Sequence, residues 1–243
     1  MALTDNILGY WKLDNNSNDA TGNGNNGTDT AMTYNTTHAK INQSATFNGT
    51  SSRISLPTSM HPTTACTCTA WVYSDNYTAG NIHILAQTDG SSAATSSYLF
   101  LVSASGGKPY IDIAQAIDHT FTHSTGLTNS TMYFLAFRYD GTNMSISINA
   151  ASKESSGLTG NINSVTQGCY IGSYGSYAQY TPSGTYIDEI GFWSRSLSDA
   201  EVTSLYNSGA GFAYPFVVDP TVTTNYLKGR KRSRVDFTGV SLG

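Results

Sequence analysis

The chain has 243 residues, a formal net charge of −4 and only 12% charged side chains, yet 12% of its residues are aromatic. Those aromatics can bury a core, so a disordered chain is excluded. Ser and Thr fill about a quarter of the positions and Glu occupies three, which favours strands and excludes a helical bundle or coiled coil. No apolar run approaches the ~20 residues of a membrane-spanning helix, so no membrane partner is expected.

The amino terminus, Met1-Ala2-Leu3-Thr4-Asp5-Asn6, has neither the basic nor the apolar region of a secretory signal, and no signal peptide is expected in this chain. In chain order, strands are predicted over Ile7–Leu13, Cys66–Ser74, Ile82–Gln87, Tyr98–Ser103, Tyr110–Ala114, Met132–Tyr139, Met144–Asn149 and Tyr186–Trp193. Turn residues separate them, as at Asn23–Gly27, Asp89–Ser92, Ser105–Gly107 and Asp140–Asn143. Strand after strand without interleaved helices predicts an antiparallel sandwich or barrel.

One helix is signalled. Ser198 is its N-cap, and Glu201 three residues on completes a capping box. Leu197 and Val202 hold the staple positions, and Gly209 after Asn207 and Ser208 is the expected stop. The helix should run about three turns, with Val202, Leu205 and Tyr206 on one face, and cover an end of the sandwich. Cys66 and Cys68 lie two apart on one strand and so share a face; with Cys169 they read as buried thiols.

Charge is segregated. Through Asp219 there are seven basic and fifteen acidic residues, net −8; from Pro220 there are five basic and one acidic, net +4. The chain is therefore expected to divide into a β-domain over 1–214 and a basic, extended arm over 215–243.

The landmarks come in a definite order. They are Gly9-Tyr10-Trp11-Lys12-Leu13-Asp14, then 19–28 with Asp19 and its Asn/Gly run, then Ala45-Thr46-Phe47-Asn48-Gly49 and Thr69-Ala70-Trp71-Val72. Phe137-Arg138-Tyr139-Asp140-Gly141, Tyr186–Trp193 and Leu197–Glu201 with Leu205-Tyr206 follow. Over about residues 5–214 this order resembles the laminin-G-like, concanavalin A-type jelly-roll family. The resemblance implies an all-β fold: a two-sheet antiparallel jelly-roll sandwich, one sheet concave and one convex, with a short C-terminal helix. It does not cover the arm.

The resemblance also implies Ca²⁺ at the sandwich edge, held by Asp19, a backbone carbonyl near Asn48-Gly49, and Asp188. Hard oxygens of this kind suit calcium. The same residues can instead make Asx-turns and a strand-end hydrogen bond. Tyr174, Tyr177 and Tyr180 crowd the stretch before the last strand and are candidates for stacking on a glycan. They can equally serve a protein contact or cover the sandwich end. Related jelly-roll glycanases carry two carboxylates on one strand face. Here Asp188 and Glu189 are adjacent, so they should point to opposite faces, and Tyr186 stands where a partner carboxylate would be needed. The five histidines (His38, His61, His83, His119, His123) form no catalytic constellation, and no enzyme is expected.

In the arm, Lys228, Arg230, Lys231, Arg232 and Arg234 put five positive charges within seven residues, with Phe216, Tyr226 and Phe237 as apolar anchors. Docking on a capsid or tail subunit, or on another copy's acidic domain, is expected; nucleic acid is the weaker alternative. Together these features fit a non-enzymatic binding module at a virion surface, as in phage decoration proteins, with the sandwich displayed outward toward a glycan or host surface. The alternatives are a secreted, extracellular carbohydrate-binding module cut from a larger enzyme or adhesin, and a polysaccharide-active enzyme.

Overall fold

The computed structural model describes residues 1–88, 92–175 and 179–217. Among these the strands are β1 (Ile7–Trp11), β2 (Thr28–Thr30), β3 (Thr33–Asn35), β4 (Ser44–Thr46), β5 (Arg53–Leu56), β6 (Cys66–Ser74), β7 (Ile82–Thr88) and β8 (Ser96–Ser103). They continue with β9 (Lys108–Ala114), β10 (Asp118–Thr122), β11 (Thr131–Tyr139), β12 (Asn143–Ile148), β13 (Glu154–Gly157), β14 (Cys169–Ile171) and β15 (Thr185–Trp193), followed by the helix α1 (Asp199–Tyr206).

Two antiparallel sheets form. The first runs β13-β12-β11-β6-β15-β4-β3, and the second β10-β9-β8-β7-β14-β5-β2. β15 is long enough to share one edge between two partners: β4 pairs at Tyr186 and Ile187, and β1 at Ile190 to Trp193. The predicted jelly-roll sandwich is thus present. Cys66, Cys68, Ala70 and Val72 of β6 meet Tyr98, Phe100 and Val102 of β8 in the core between the sheets. The side chains that alternate with them point outward.

The first sheet is apolar on both faces. On its outer face Tyr10, Trp71, Phe134 and Trp193 form a second cluster with Leu197, Val202 and Leu205. The helix therefore covers this outer face, not an end of the sandwich as expected. Its capping box is present: the Glu201 amide donates to the Ser198 hydroxyl and the Ser198 amide donates to the Glu201 carboxylate. Arg195, two residues past β15, donates two hydrogen bonds to Glu201 at 2.7 and 3.0 Å, and Arg138 on β11 donates to Asp199 at 2.6 Å. The helix has eight residues, because Asn207 takes a left-handed C-cap conformation (φ 48°) and stops it before Gly209.

The carboxyl-terminal described residues complete the cover. Phe216 lies edge-on to Tyr10 at 5.4 Å between ring centroids and also meets Trp193, Phe212 and Tyr214. Phe216, assigned from sequence to the docking arm, packs on its own sandwich. Tyr226, Lys228, Arg230, Lys231, Arg232, Arg234 and Phe237 lie outside the described residues.

All three cysteines are free and buried. Burial pushes each thiol up, Cys169 to about 12, which removes the reactive thiolate. Native protein should therefore release no thiol signal to an aromatic disulfide reagent within minutes and three equivalents once denatured. Rapid labelling in native buffer would place these strands wrongly.

Candidate functional site

Among the described residues no helix or further layer covers the outer face of the second sheet. Strand register sets two rows of side chains across it. His83 pairs with Leu101, Leu101 with Tyr110, and Tyr110 with Thr122. Beside this row, Ala86 pairs with Leu99, Leu99 with Asp112, and Asp112 with Thr120. An irregularity in pairing between His83 and Leu85 keeps Ile84 and Leu85 both in the core and leaves His83 and Ala86 outside. Ala86, Leu99 and Leu101 make an apolar floor, against which Tyr110 and Tyr174 pack.

Tyr174 reaches this floor because its loop is fastened to β7. The Gly172 amide donates to the His83 carbonyl, the His83 amide to the Thr181 hydroxyl, and the Thr181 amide to the Gly172 carbonyl, each at 2.9 Å. Gly172 is required here: its φ is +83°, and a Cβ would stand 2.1 Å from the Phe47 ring. The Tyr174 amide then donates to the Gln179 carbonyl at 3.1 Å, and the Tyr174 ring stacks on His83 at 5.7 Å and 27°. The result is an open depression of about 290 Å³ bounded by His83, Leu99, Leu101, Tyr110, Tyr174 and Gln179, with Asn81 and Ser103 at its rim.

Its polar groups are incompletely satisfied. His83 is 1% exposed, and its Nδ1 has no hydrogen-bond partner among the described residues. Burial pushes the imidazole down to about 4, so it is neutral near pH 7. Beyond the residues that bound the depression, Asp112, cross-strand from Leu99, has one buried carboxyl oxygen, Oδ1, without a partner among the described residues. Burial pushes this carboxyl up to about 7; Asp118 adds to the rise and the His119 amide opposes it. Burial, with the Asp112 charge nearby, pushes the Tyr110 phenol up to about 12. A site with an apolar floor, aromatic walls and a polar rim is suited to a small ligand.

Of the three candidate tyrosines, Tyr174 lines the depression, Tyr180 accepts a long hydrogen bond from Arg53 Nη1 at 3.4 Å, and Tyr177 lies outside the described residues. The resemblance did not point to His83, Tyr110 or Asp112. The alternation Tyr110-Ile111-Asp112-Ile113 carries the signal for the last two, since it puts both polar residues on the face away from the core.

Each of the side chains expected near Ca²⁺ has donors of its own in the fold. Asp19 Oδ1 accepts from the Tyr10 and Thr21 amides and the Thr21 hydroxyl, and Oδ2 from the Asn25 amide. Asn48 Oδ1 accepts from the amides of Thr50, Ser51 and Ser52, closing a turn in which Gly49 has φ +80°. Asp188 Oδ2 accepts from the Lys40 and Ile41 amides. The oxygens of Asp19 and Asn48 are thus aimed at separate sets of donors. Among the described residues no three His, Cys, Asp or Glu side chains converge on a metal position.

Asp188 and Glu189 depart from the sequence expectation. A bulge between Asp188 and Gly191, with Glu189 at φ +51°, breaks the alternation that should have separated them. Asp188 stands opposite Trp71 and Glu189 beside Tyr10, both under the cover of the first sheet, at 0% and 3% exposure. Asp188 Oδ1 and both Glu189 oxygens lack a well-formed hydrogen bond. Burial pushes Asp188 up to about 8, against the amides of Ile41 and Lys40 and with Glu189 adding; it pushes Glu189 up to about 7, against Tyr10.

The chain belongs to the concanavalin A-like lectin/glucanases superfamily, whose laminin G model matches residues 48–203, well over half of its length. Among solved structures it is similar to domain 4 of an extracellular GH43 arabinanase from Geobacillus stearothermophilus, in complex with arabinotriose. That likeness has a TM-score of 0.66 and 19% identity over 81% of this chain and 96% of that one. It is also similar to the receptor-binding domain of botulinum neurotoxin type G, with a TM-score of 0.62 and 16% identity over 83% of this chain and 51% of that one. A botulinum neurotoxin type C structure, whose cell entry depends on two ganglioside molecules, matches with a TM-score of 0.61 and 12% identity over 84% of this chain and 51% of that one. The chain thus spans about half the length of these neurotoxin chains. Among curated protein sequences none matches it.

The carboxyl pair makes a stability prediction. Free carboxyls titrate near 4, and both of these titrate higher when folded. The folded state therefore holds more protons than the unfolded state between about pH 4 and 8. Stability is present at the acid side of this window and is lost as pH rises through it. In chelator-containing buffer the Tm should fall from pH 5 to pH 9. Glu189→Gln should flatten the fall by removing a contribution on the order of 3 kcal/mol. A Tm that rises with pH across this window in the wild type would contradict the assignment.

Proposed function

We propose that this protein is a non-enzymatic glycan-binding module whose ligand sits on the outer face of the second sheet. The observation that carries the reading is the depression itself: a leucine floor, two tyrosine walls and a polar rim of Asn81, Ser103 and Gln179. A sugar ring offers an apolar face to such a floor and hydroxyls to such a rim. The arabinotriose and gangliosides named for its structural neighbours support the ligand class; those likenesses concern the fold. The non-catalytic part of the reading is supported by the sealing of Asp188 and Glu189 under the helix-bearing face, where no polymer can reach them.

The test is calorimetric titration with a panel of oligosaccharides. Tyr174→Ala should weaken binding roughly tenfold, about 1.4 kcal/mol, with an unchanged Tm. Equal affinity in the variant would move the ligand elsewhere.

A second reading concerns placement. We infer from the five basic charges at 228–234 that the segment beyond the sandwich anchors it to a larger assembly, a virion surface being the first choice and an adhesin or secreted enzyme the second. Because Phe216 packs on Tyr10 and Trp193, a truncation that spares the sandwich must follow Val217, not Tyr214. Protein ending at Val217 should keep its Tm and lose co-sedimentation with the partner assembly. Undiminished association would refute the anchoring role.

A further inference from the structure

We propose that Arg53, set between Tyr170 and Tyr180 beside the depression, is an anion subsite that receives the carboxylate of an acidic sugar linked to the sugar seated on the leucine floor. The proposal rests on the glycan reading above and deepens it: the ligand class becomes acidic oligosaccharides, and Arg53 is the residue that selects them.

Strand register sets the place. In β5, Ile54 and Leu56 point into the core, so Arg53 and Ser55 stand on the outer face of the second sheet. In β14, Cys169 and Ile171 point into the core, so Tyr170 stands on that same outer face. Ile54 pairs with Ile171, which brings Gly172 next to Arg53, and the Gly172 amide donates to the His83 carbonyl of β7. Arg53 is thus two strand spacings, about 10 Å, from the His83 wall of the depression. The loop after Gly172 joins the two places. Tyr174 and Gln179 bound the depression, and the next residue, Tyr180, pairs with Ser173 and accepts a hydrogen bond from Arg53 Nη1 at 3.4 Å.

Two observations point to an anion there. The first is an unspent charge. Of the three arginines among the described residues, Arg138 pairs with Asp199 and Arg195 with Glu201, whereas Arg53 has no carboxylate partner among those residues. Its Nε is buried, so a ligand meets the Nη end, where Nη1 makes one long hydrogen bond and Nη2 none among the described residues. The second is orientation. The guanidinium lies over the Tyr170 ring, 5.9 Å from its centroid, with the Tyr180 hydroxyl beside it. Stacking on a ring holds the plane of the fork and leaves its donors free, which suits the two oxygens of a carboxylate. The neighbouring acids do not compete. Asp29 of β2 pairs with Ile54, so it lies on the other face, and its oxygens accept from Ser17 and Tyr34. Asp112, with Asp118 near it, is on β9, four strand spacings or about 19 Å away and beyond the ~8 Å screening length. Lys108, opposite Ser103 at the rim, puts a second positive charge at the far end of the depression. A neutral sugar leaves the charge of Arg53 unanswered, and an amino sugar is repelled by it.

The experiment is isothermal calorimetry of the full chain at pH 7 with oligosaccharides of matched length. The probe sets are neutral oligosaccharides, uronic-acid oligosaccharides, the same uronic acids as methyl esters, and sulfated oligosaccharides. The variants are Arg53→Gln and Arg53→Lys. The proposal expects the uronic-acid set to bind about tenfold tighter than the neutral and esterified sets. Arg53→Gln should remove that advantage and leave neutral binding unchanged, and Arg53→Lys, which keeps the charge without the planar fork, should retain part of it. The advantage should also shrink as salt is raised. Esterification changes only the ligand, so that comparison decides the matter even if Arg53→Gln fails to fold. Equal affinity for the uronic-acid and esterified sets would overturn the proposal and leave the glycan reading standing. An advantage that survives Arg53→Gln would do the same. Tighter binding of the sulfated set would overturn the carboxylate class. Failure of every set to bind would overturn both the proposal and the glycan reading.

Discussion

Burial of both faces of the first sheet is the constraint on which the rest of the structure depends. A sandwich needs one apolar face per sheet, and the outward residues Trp71, Phe134 and Trp193 give the first sheet a second one. Burying a large apolar side chain yields about 1.5–3 kcal/mol, so leaving these rings in water would be costly. The helix, Tyr214 and Phe216 supply the cover, and Arg138 and Arg195 fix the helix start over the sheet through Asp199 and Glu201. The two outer faces are therefore unlike. Among the described residues one is sealed, and the other keeps a shallow depression with a leucine floor and two tyrosine walls.

The same cover explains why acidic side chains in this protein have different fates. Asp188 and Glu189 are carried beneath it by a bulge and lose their hydration, which lifts their titration and makes them a stability device. Asp112 loses part of its hydration on the outer face of the second sheet. Asp19 and Asn48 spend their oxygens on loop amides and so organise the turns that frame the sandwich. Chemistry of the side chain is shared; the face it lies on decides its use.

The long strands were legible because their hydrophobic pattern is strong: Cys66–Ser74 has the bounds expected from the residues, and the helix cap was readable from Ser198 and Glu201. The family resemblance supplied the sandwich. Strands β2, β3, β4 and β14 have three residues each, too few for periodicity to show, and β10 and β13 sit at sheet edges with polar alternate residues. Of the depression, only Tyr174 was named in advance. His83 was passed over because its role comes from a pairing irregularity and from a loop closing over it a hundred residues later in the chain, neither of which leaves a local trace. The expected separation of Asp188 from Glu189 failed for a similar reason: strict alternation holds only while a strand stays regular.

The most direct test of the central claim is a map of the backbone amide shifts that move when an oligosaccharide that binds is added to isotopically labelled protein. The proposed site predicts shifts concentrated at His83, Leu99, Leu101, Tyr110 and Tyr174, with the helix face silent. Shifts confined to the Asp19 and Asn48 loops, or to the surface around Trp71 and Tyr206, would contradict it.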